Sequence, residues 1–188
     1  MLEWILLFVI IVFVLGVLLY VWSTYNRLIT LKERIKNSWA QIDVQLKRRF
    51  DLIPNLVETV KGYAKHEKGT LEEITKLRGG LVKGSPEQRA EADALLGSAL
   101  GKLMVVVENY PQLKANENFL KLQQELSGTE DKISFVRTAY NDSVYIYNML
   151  TKRFPSSIIA NFFKFTEEGY FEIPEAQKEQ RENVKVKF

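Results

Sequence analysis

The chain has 188 residues, with 26 Lys+Arg against 23 Asp+Glu and no cysteine. The near balance of charge argues against the basic stripe of a nucleic-acid binder, and the missing cysteines exclude disulfides, thiolate metal sites and cysteine nucleophiles. Beyond an apolar N-terminal stretch, about 160 residues remain, enough for one domain with a real core.

Chain order starts with that stretch. Between Glu3 and Arg27 there is no charged residue, and residues 4–22 are apolar throughout. About 19 residues at 1.5 Å each give roughly 28 Å of helix, close to the hydrocarbon thickness of a bilayer. A lone span must pair every backbone polar group internally, so it must be helical. Trp4, Tyr20, Trp22 and Tyr25 stand at its ends, where amphipathic rings favour the headgroup level. A cleaved signal peptide would need a basic start and a small-residue cleavage site; Glu3 and the bulky Tyr20-Val21-Trp22 supply neither. The stretch is read as a transmembrane anchor over 4–25 that places the chain in a lipid bilayer, with residues 1–3 translocated. Arg27, Lys32, Arg34 and Lys36 follow the span and no Lys or Arg precedes it. The positive-inside rule then puts the N-terminus outside and the remainder in the cytoplasm, which in a bacterium means the inner membrane.

From Arg27 to Phe50 there is no Gly or Pro, and Leu28, Leu31, Ile35, Trp39, Ile42 and Leu46 fall on one helical face. The spacing predicts one helix from the membrane to about Phe50, ended by Pro54, with Asp51 as N-cap of the next. A second helix follows to Leu77 and frays at Gly79-Gly80. Ser85-Pro86-Glu87-Gln88 reads as a capping box with proline in the first turn. It opens a third helix to about Asn109, on which Gly97 and Gly101 suggest close approach by a neighbour. Tyr110-Pro111 stops it. The fourth pattern, Phe119 to Leu150, keeps its phase through Gly128, and one glycine costs only about 1 kcal/mol, so a continuous helix is expected there. Four stripes with short links predict an all-α chain: an N-terminal transmembrane helix continuing into an antiparallel up-down four-helix bundle over 26–153. The fourth helix exceeds the middle two by about 12 residues, roughly 18 Å, and so should reach back toward the bilayer. An aromatic segment over 154–173 follows, with Phe154, Phe162, Phe163 and Phe165 as membrane-proximal candidates; it either caps the bundle or lies in the headgroup layer. Residues 174–188 form a charged tail.

No catalytic template is met. His66 is the single histidine, no serine sits in a nucleophile elbow, and Gly79-Gly80 lacks a phosphate-loop lysine. His66-Glu67 with Glu72-Glu73 could hold an oxygen-type ion, but a solvated helix face explains them better. The expectation is a non-enzyme with no cofactor and no metal. The polar residues that stand out are Arg48, Arg49, Asp51, Pro54 and Asn55 at the first hairpin, and Arg137, Tyr140, Asn141, Tyr147 and Asn148 on the fourth stripe. Buried amide and phenol groups can fix helix register; a binding groove is the other use.

The run Gln45-Leu-Lys-Arg-Arg-Phe-Asp-Leu-Ile-Pro-Asn-Leu-Val57, with Val60-Lys-Gly-Tyr-Ala64, His66-Glu67, Tyr110-Pro111, Arg137-Thr-Ala-Tyr-Asn141, Tyr147-Asn148, Phe154-Pro155 and Tyr170-Phe171, resembles the bacterial LemA family. The resemblance implies a single N-terminal anchor on an antiparallel helical bundle and no catalytic mechanism. The expected function is a membrane-tethered scaffold or adaptor acting through contacts with a membrane-protein partner. A lipid-interacting or membrane-remodelling module is the alternative, and no nucleic acid is involved.

Overall fold

A computed structural model describes residues 1–64 and 67–172. The tail expected over 174–188 and the ion ligand considered at His66 lie outside the described residues. Six helices and no strand are found among the described residues: α1 Leu2–Tyr63, α2 Lys68–Arg78, α3 Pro86–Val107, α4 Pro111–Lys114, α5 Glu117–Lys152 and α6 Ser156–Phe162, with a 3-10 turn at Gly79–Leu81. They form two compact units. One comprises Met1–Asn37 with Asn141–Glu168; the other comprises Ser38–Tyr140 with 169–172.

The largest departure from the periodicity is at Pro54. The first helix does not end near Phe50, and Asp51 is not an N-cap: α1 runs through Pro54 to Tyr63. Proline has no N–H to give the carbonyl four residues back, and that orphaned acceptor normally breaks or kinks the helix. Here the acceptor is Phe50 O, and Arg78 Nε donates to it at 2.7 Å from the end of α2. The same guanidinium lies over the Phe50 ring, Cζ 3.7 Å from its centroid. A residue 28 positions away thus supplies the bond that proline removes. One buried stripe continues unbroken through Ile42, Leu46, Ile53, Leu56, Val60 and Ala64.

In this unit α2 packs on α3, with the 3-10 turn beside both. Ser85 caps α3 through the expected reciprocal pair, Gln88 N–H to Ser85 Oγ and Ser85 N–H to Gln88 Oε1. Leu96, Ala99, Leu100, Leu103 and Val107 are buried, whereas Leu95 faces outward. Neither glycine of α3 marks a helix crossing. A Cβ at Gly97 would meet Arg49 Nη2 at 3.9 Å, and one at Gly101 would meet nothing within 4 Å. Asn116 caps α5 by accepting from Phe119 N–H at 3.0 Å. That helix runs on through Gly128 as its phase requires, with Phe119, Leu126, Ile133 and Tyr140 buried.

In the other unit, Leu28, Leu31 and Ile35 are buried on α1, and Val144 and Tyr147 on α5. The apolar run of α1 is long and apolar enough to cross a membrane, and none of it is buried. The end of α6 forms a two-bond Schellman turn: Phe165 N–H reaches Ala160 O at 2.9 Å and Lys164 N–H reaches Asn161 O at 3.2 Å. Lys164 takes the left-handed conformation this turn needs (φ 59°).

Candidate functional site

The sequence candidates fall into three places. Arg49 and Arg137 come together, lining a cavity of about 440 Å³ in the unit of 38–140 with Asp93, Glu130, Ile133 and Phe171. Arg49 sits at helical spacing from Leu46 and Ile53 on the buried stripe of α1, and only 2% of its side chain is exposed. Such a charge must be paired. Arg49 Nη1 donates to Asp93 Oδ1 at 2.6 Å, and Nη2 lies 3.5 Å from Glu130 Oε2. Its Nε has no partner among the described residues. Burial pushes the Asp93 carboxyl above its ordinary range, and the Arg49 charge and hydrogen bond pull it back only partly. The cavity therefore carries two guanidinium and two carboxyl groups, a set suited to fixing a polar or charged group rather than to activating a nucleophile.

A second buried guanidinium, Arg89, was not among the candidates. It donates through Nε to Leu81 O at 2.8 Å and through Nη2 to Asp43 at 2.5 Å, and Cζ stands 4.9 Å from the Trp39 ring. Trp39 also packs against Tyr140 and Phe171, at 5.8 and 5.9 Å between centroids. Tyr140 Oη donates to Gly169 O at 2.9 Å.

The other candidates around Pro54 are dispersed along the surface of α1. Arg48 pairs with Glu125 at 3.2 Å and Asp51 with Lys47 at 2.9 Å. Asn55 is exposed, its carbonyl accepting from Thr59 Oγ1. Asn141 lies partly buried on α5.

Tyr147 and Asn148 belong to the unit of 1–37 and 141–168. The amide of Asn148 holds the main chain of Glu168 from both sides, donating to its carbonyl at 2.9 Å and accepting from its N–H at 3.0 Å. Tyr147 is fully buried, with no hydrogen-bond partner for its hydroxyl among the described residues. Burial, and then the negative charge of Glu168, push its phenol upward. The aromatic segment divides: Phe163 and Phe165 pack on Tyr25, at 4.7 and 5.8 Å between centroids, whereas Phe154 and Phe162 stand exposed. No group of three or more metal-ligating side chains occurs among the described residues.

A groove of about 1010 Å³, unforeseen in the sequence, is lined by Val57, Lys61, Ala64, Lys68, Leu71, Glu72, Thr75 and Lys76 at the junction of α1 and α2. Its floor is apolar, and among the described residues its rim carries three lysines against one glutamate.

The chain is similar to magnetosome protein MamQ 2 of Paramagnetospirillum magneticum (28% identity, covering 79% of this chain and 64% of that protein). It is similar also to magnetosome protein MamQ of Magnetospirillum gryphiswaldense (27%, covering 78% and 64%) and to protein LemA of Metamycoplasma hominis (28%, covering 65% and 60%). It thus spans less than two thirds of the length of these relatives. The family description matching residues 38–188 is that of LemA. By that match, and by the motifs around Arg49 and Pro54 it includes, the chain belongs to the LemA family.

Proposed function

We propose that this protein is a non-enzymatic, membrane-tethered scaffold that holds an acidic amphipathic helix of a membrane-protein partner in the α1–α2 groove. The observation that carries this reading is the groove itself: Val57, Ala64 and Leu71 offer an apolar floor, while Lys61, Lys68 and Lys76 offer positive charge to a partner. Helices with an apolar stripe dock into such grooves by their i, i+3, i+4 side chains, and rim charges select the partner and speed encounter. The anchor over 4–25 confines the scaffold to the bilayer of the bacterial inner membrane, which raises its effective concentration for other membrane proteins. Arg27, Lys32, Arg34 and Lys36 favour a cytoplasmic position for the domain. The Arg49 cavity then serves to fix the packing of α1, α3 and α5 behind the groove.

The test is photo-crosslinking in intact cells from a reactive residue at Thr75, with and without the charge reversals K61E, K68E and K76E. A discrete adduct to a membrane protein at Thr75 that disappears on charge reversal is expected. An adduct pattern unchanged by the reversals, or none above that from exposed Gln112, would end the groove reading.

A further inference from the structure

One face of α6 is left uncovered by the described residues. Helix α6 buries Ser156, Ile159 and Ala160 on one side. On the other, Ile158 and Phe162 stand four apart and are 61% and 79% exposed, and Phe154, in the turn before the helix, is 82% exposed. Single exposed apolar side chains are ordinary on any protein surface, but a contiguous row of large ones marks an interaction site.

Its position identifies the occupant. Phe162 stacks edge-on against Phe163 at 5.0 Å between centroids, and Phe163 packs on Tyr25 at 4.7 Å. Tyr25 lies three residues beyond Trp22, where the apolar run ends, a rise of about 4.5 Å along the helix. The headgroup layer on each side of a bilayer is about 5–7 Å deep. The C-terminal end of α6, docked at Tyr25 through Phe163, is therefore held at the depth of that layer. Exposed Arg153 and Lys164 flank the apolar residues, as basic side chains do where apolar groups enter an anionic surface, while Lys152 pairs with Glu167 at 2.8 Å.

We propose that α6 is an in-plane membrane-contact element, with Phe154, Ile158 and Phe162 inserted at the boundary between headgroups and acyl chains of the bilayer that α1 crosses. Phe163 and Phe165 clamp the element to the span, so the aromatic segment caps its own unit with one face and meets lipid with the other. The inference rests on the membrane anchoring proposed above, not on the groove.

The absence of cysteine makes the test direct. Single variants I158C and F162C carry a nitroxide in the full chain, reconstituted in vesicles of equal parts phosphatidylcholine and phosphatidylglycerol. V12C in the span and V105C on the exposed face of α3 serve as references. Power saturation compares collisions with oxygen, which partitions into lipid, and with a water-soluble nickel chelate. The expected result is oxygen dominance at 158, 162 and 12, with the sign reversed at 105. Nickel dominance at 158 and 162 with oxygen dominance at 12 would overturn the α6 proposal alone. Exclusion of both colliders with spin–spin broadening would overturn it in favour of a second copy of the chain. Nickel dominance at 12 would overturn the anchoring and this proposal together.

Discussion

The two units solve the problem of buried polarity differently. In the unit of 38–140 the buried polar side chains include two guanidinium groups, Arg49 and Arg89, each tied to a carboxylate. In the unit of 1–37 and 141–168 they are Thr24, Ser143, Asn148, Thr151 and Ser156, all neutral. Thr151 and Ser156 spend their hydroxyls on carbonyls three residues back, Asn148 O and Arg153 O, and Asn148 spends its amide on Glu168. Charge paired at a distance specifies which helices meet, because a wrong register strands a buried ion. Beside the bilayer proposed above the same device would be expensive to misplace, and neutral groups, satisfied three residues back or, at Asn148, by the main chain of Glu168, avoid that hazard. The charged pairs lie in the unit that carries the proposed partner groove, and the neutral ones in the unit that carries the proposed span.

The comparison breaks most sharply at Arg49. Replacing it by Met leaves the Asp93 carboxyl buried without its cation, and loss of one partner of a buried pair costs about 3–5 kcal/mol. At neutral pH that penalty has a ceiling, since the carboxyl can take a proton at about 1.4 kcal/mol per pH unit above its ordinary pKa, or about 4 kcal/mol in all. R49M should therefore melt far below wild type at pH 7 and close part of the gap as the pH falls, while the double variant R49M/D93L recovers most of the loss. The wild-type chain carries the same sign in milder form. Folding raises the Asp93 pKa from an ordinary 3.8, so between that value and the raised one the folded state binds more proton than the unfolded. Stability contributed by this group is lost as the pH rises through that window. Thermal melts from pH 3.5 to 7 should show wild type declining relative to D93N; a flat difference would mean that Arg49 fully compensates the burial.

An effect of intermediate size belongs to Arg78. R78A leaves Phe50 O without its donor at the one turn of α1 where proline has removed the helical one, a loss of about 1–3 kcal/mol. In a P54A background the backbone N–H returns, and the cost of R78A should shrink to what the contact with the Phe50 ring contributes. Additive losses across this double-mutant cycle, read from denaturant midpoints, would show that the Arg78 bond does not stand in for the missing amide.

This pairing also explains what the sequence could and could not reveal. The long apolar N-terminal helix was legible because it needs only length and the absence of charge. The continuity of α5 through Gly128 and the Ser85 cap were legible because each is decided within a few residues. Passage of α1 through Pro54 was not, since the donor that compensates at Phe50 O sits 28 residues from Phe50 on another helix. Arg49 and Arg137 were singled out, but Asp93, Glu130 and Arg89 were not, because nothing within a few residues marks a charged helix residue as buried. A signal was present for Arg49 itself: it keeps the three-and-four spacing of Leu46 and Ile53, and an arginine in phase with the core implies a buried carboxylate elsewhere. The sequence cannot say which of 23 acidic residues that is.

The smallest effect, and the cleanest probe of the neutral unit, is at Lys164. A lysine in the left-handed region costs about 1 kcal/mol relative to glycine, and the Schellman turn that demands it is closed by two main-chain bonds. Replacing Lys164 by Gly removes the strain but lets the unfolded chain gain entropy, so the net gain should be below about 1 kcal/mol, a rise in Tm of about 2–4 °C at most. K164A keeps the strain and serves as the control, with no gain expected. Both changes delete the same positive charge, so any difference between them belongs to the backbone, and any shared loss of binding to anionic vesicles belongs to the lysine head. A gain from K164A equal to that from K164G would show that the turn is not held in the left-handed form, and with it the clamp of Phe165 on Tyr25 would lose its support.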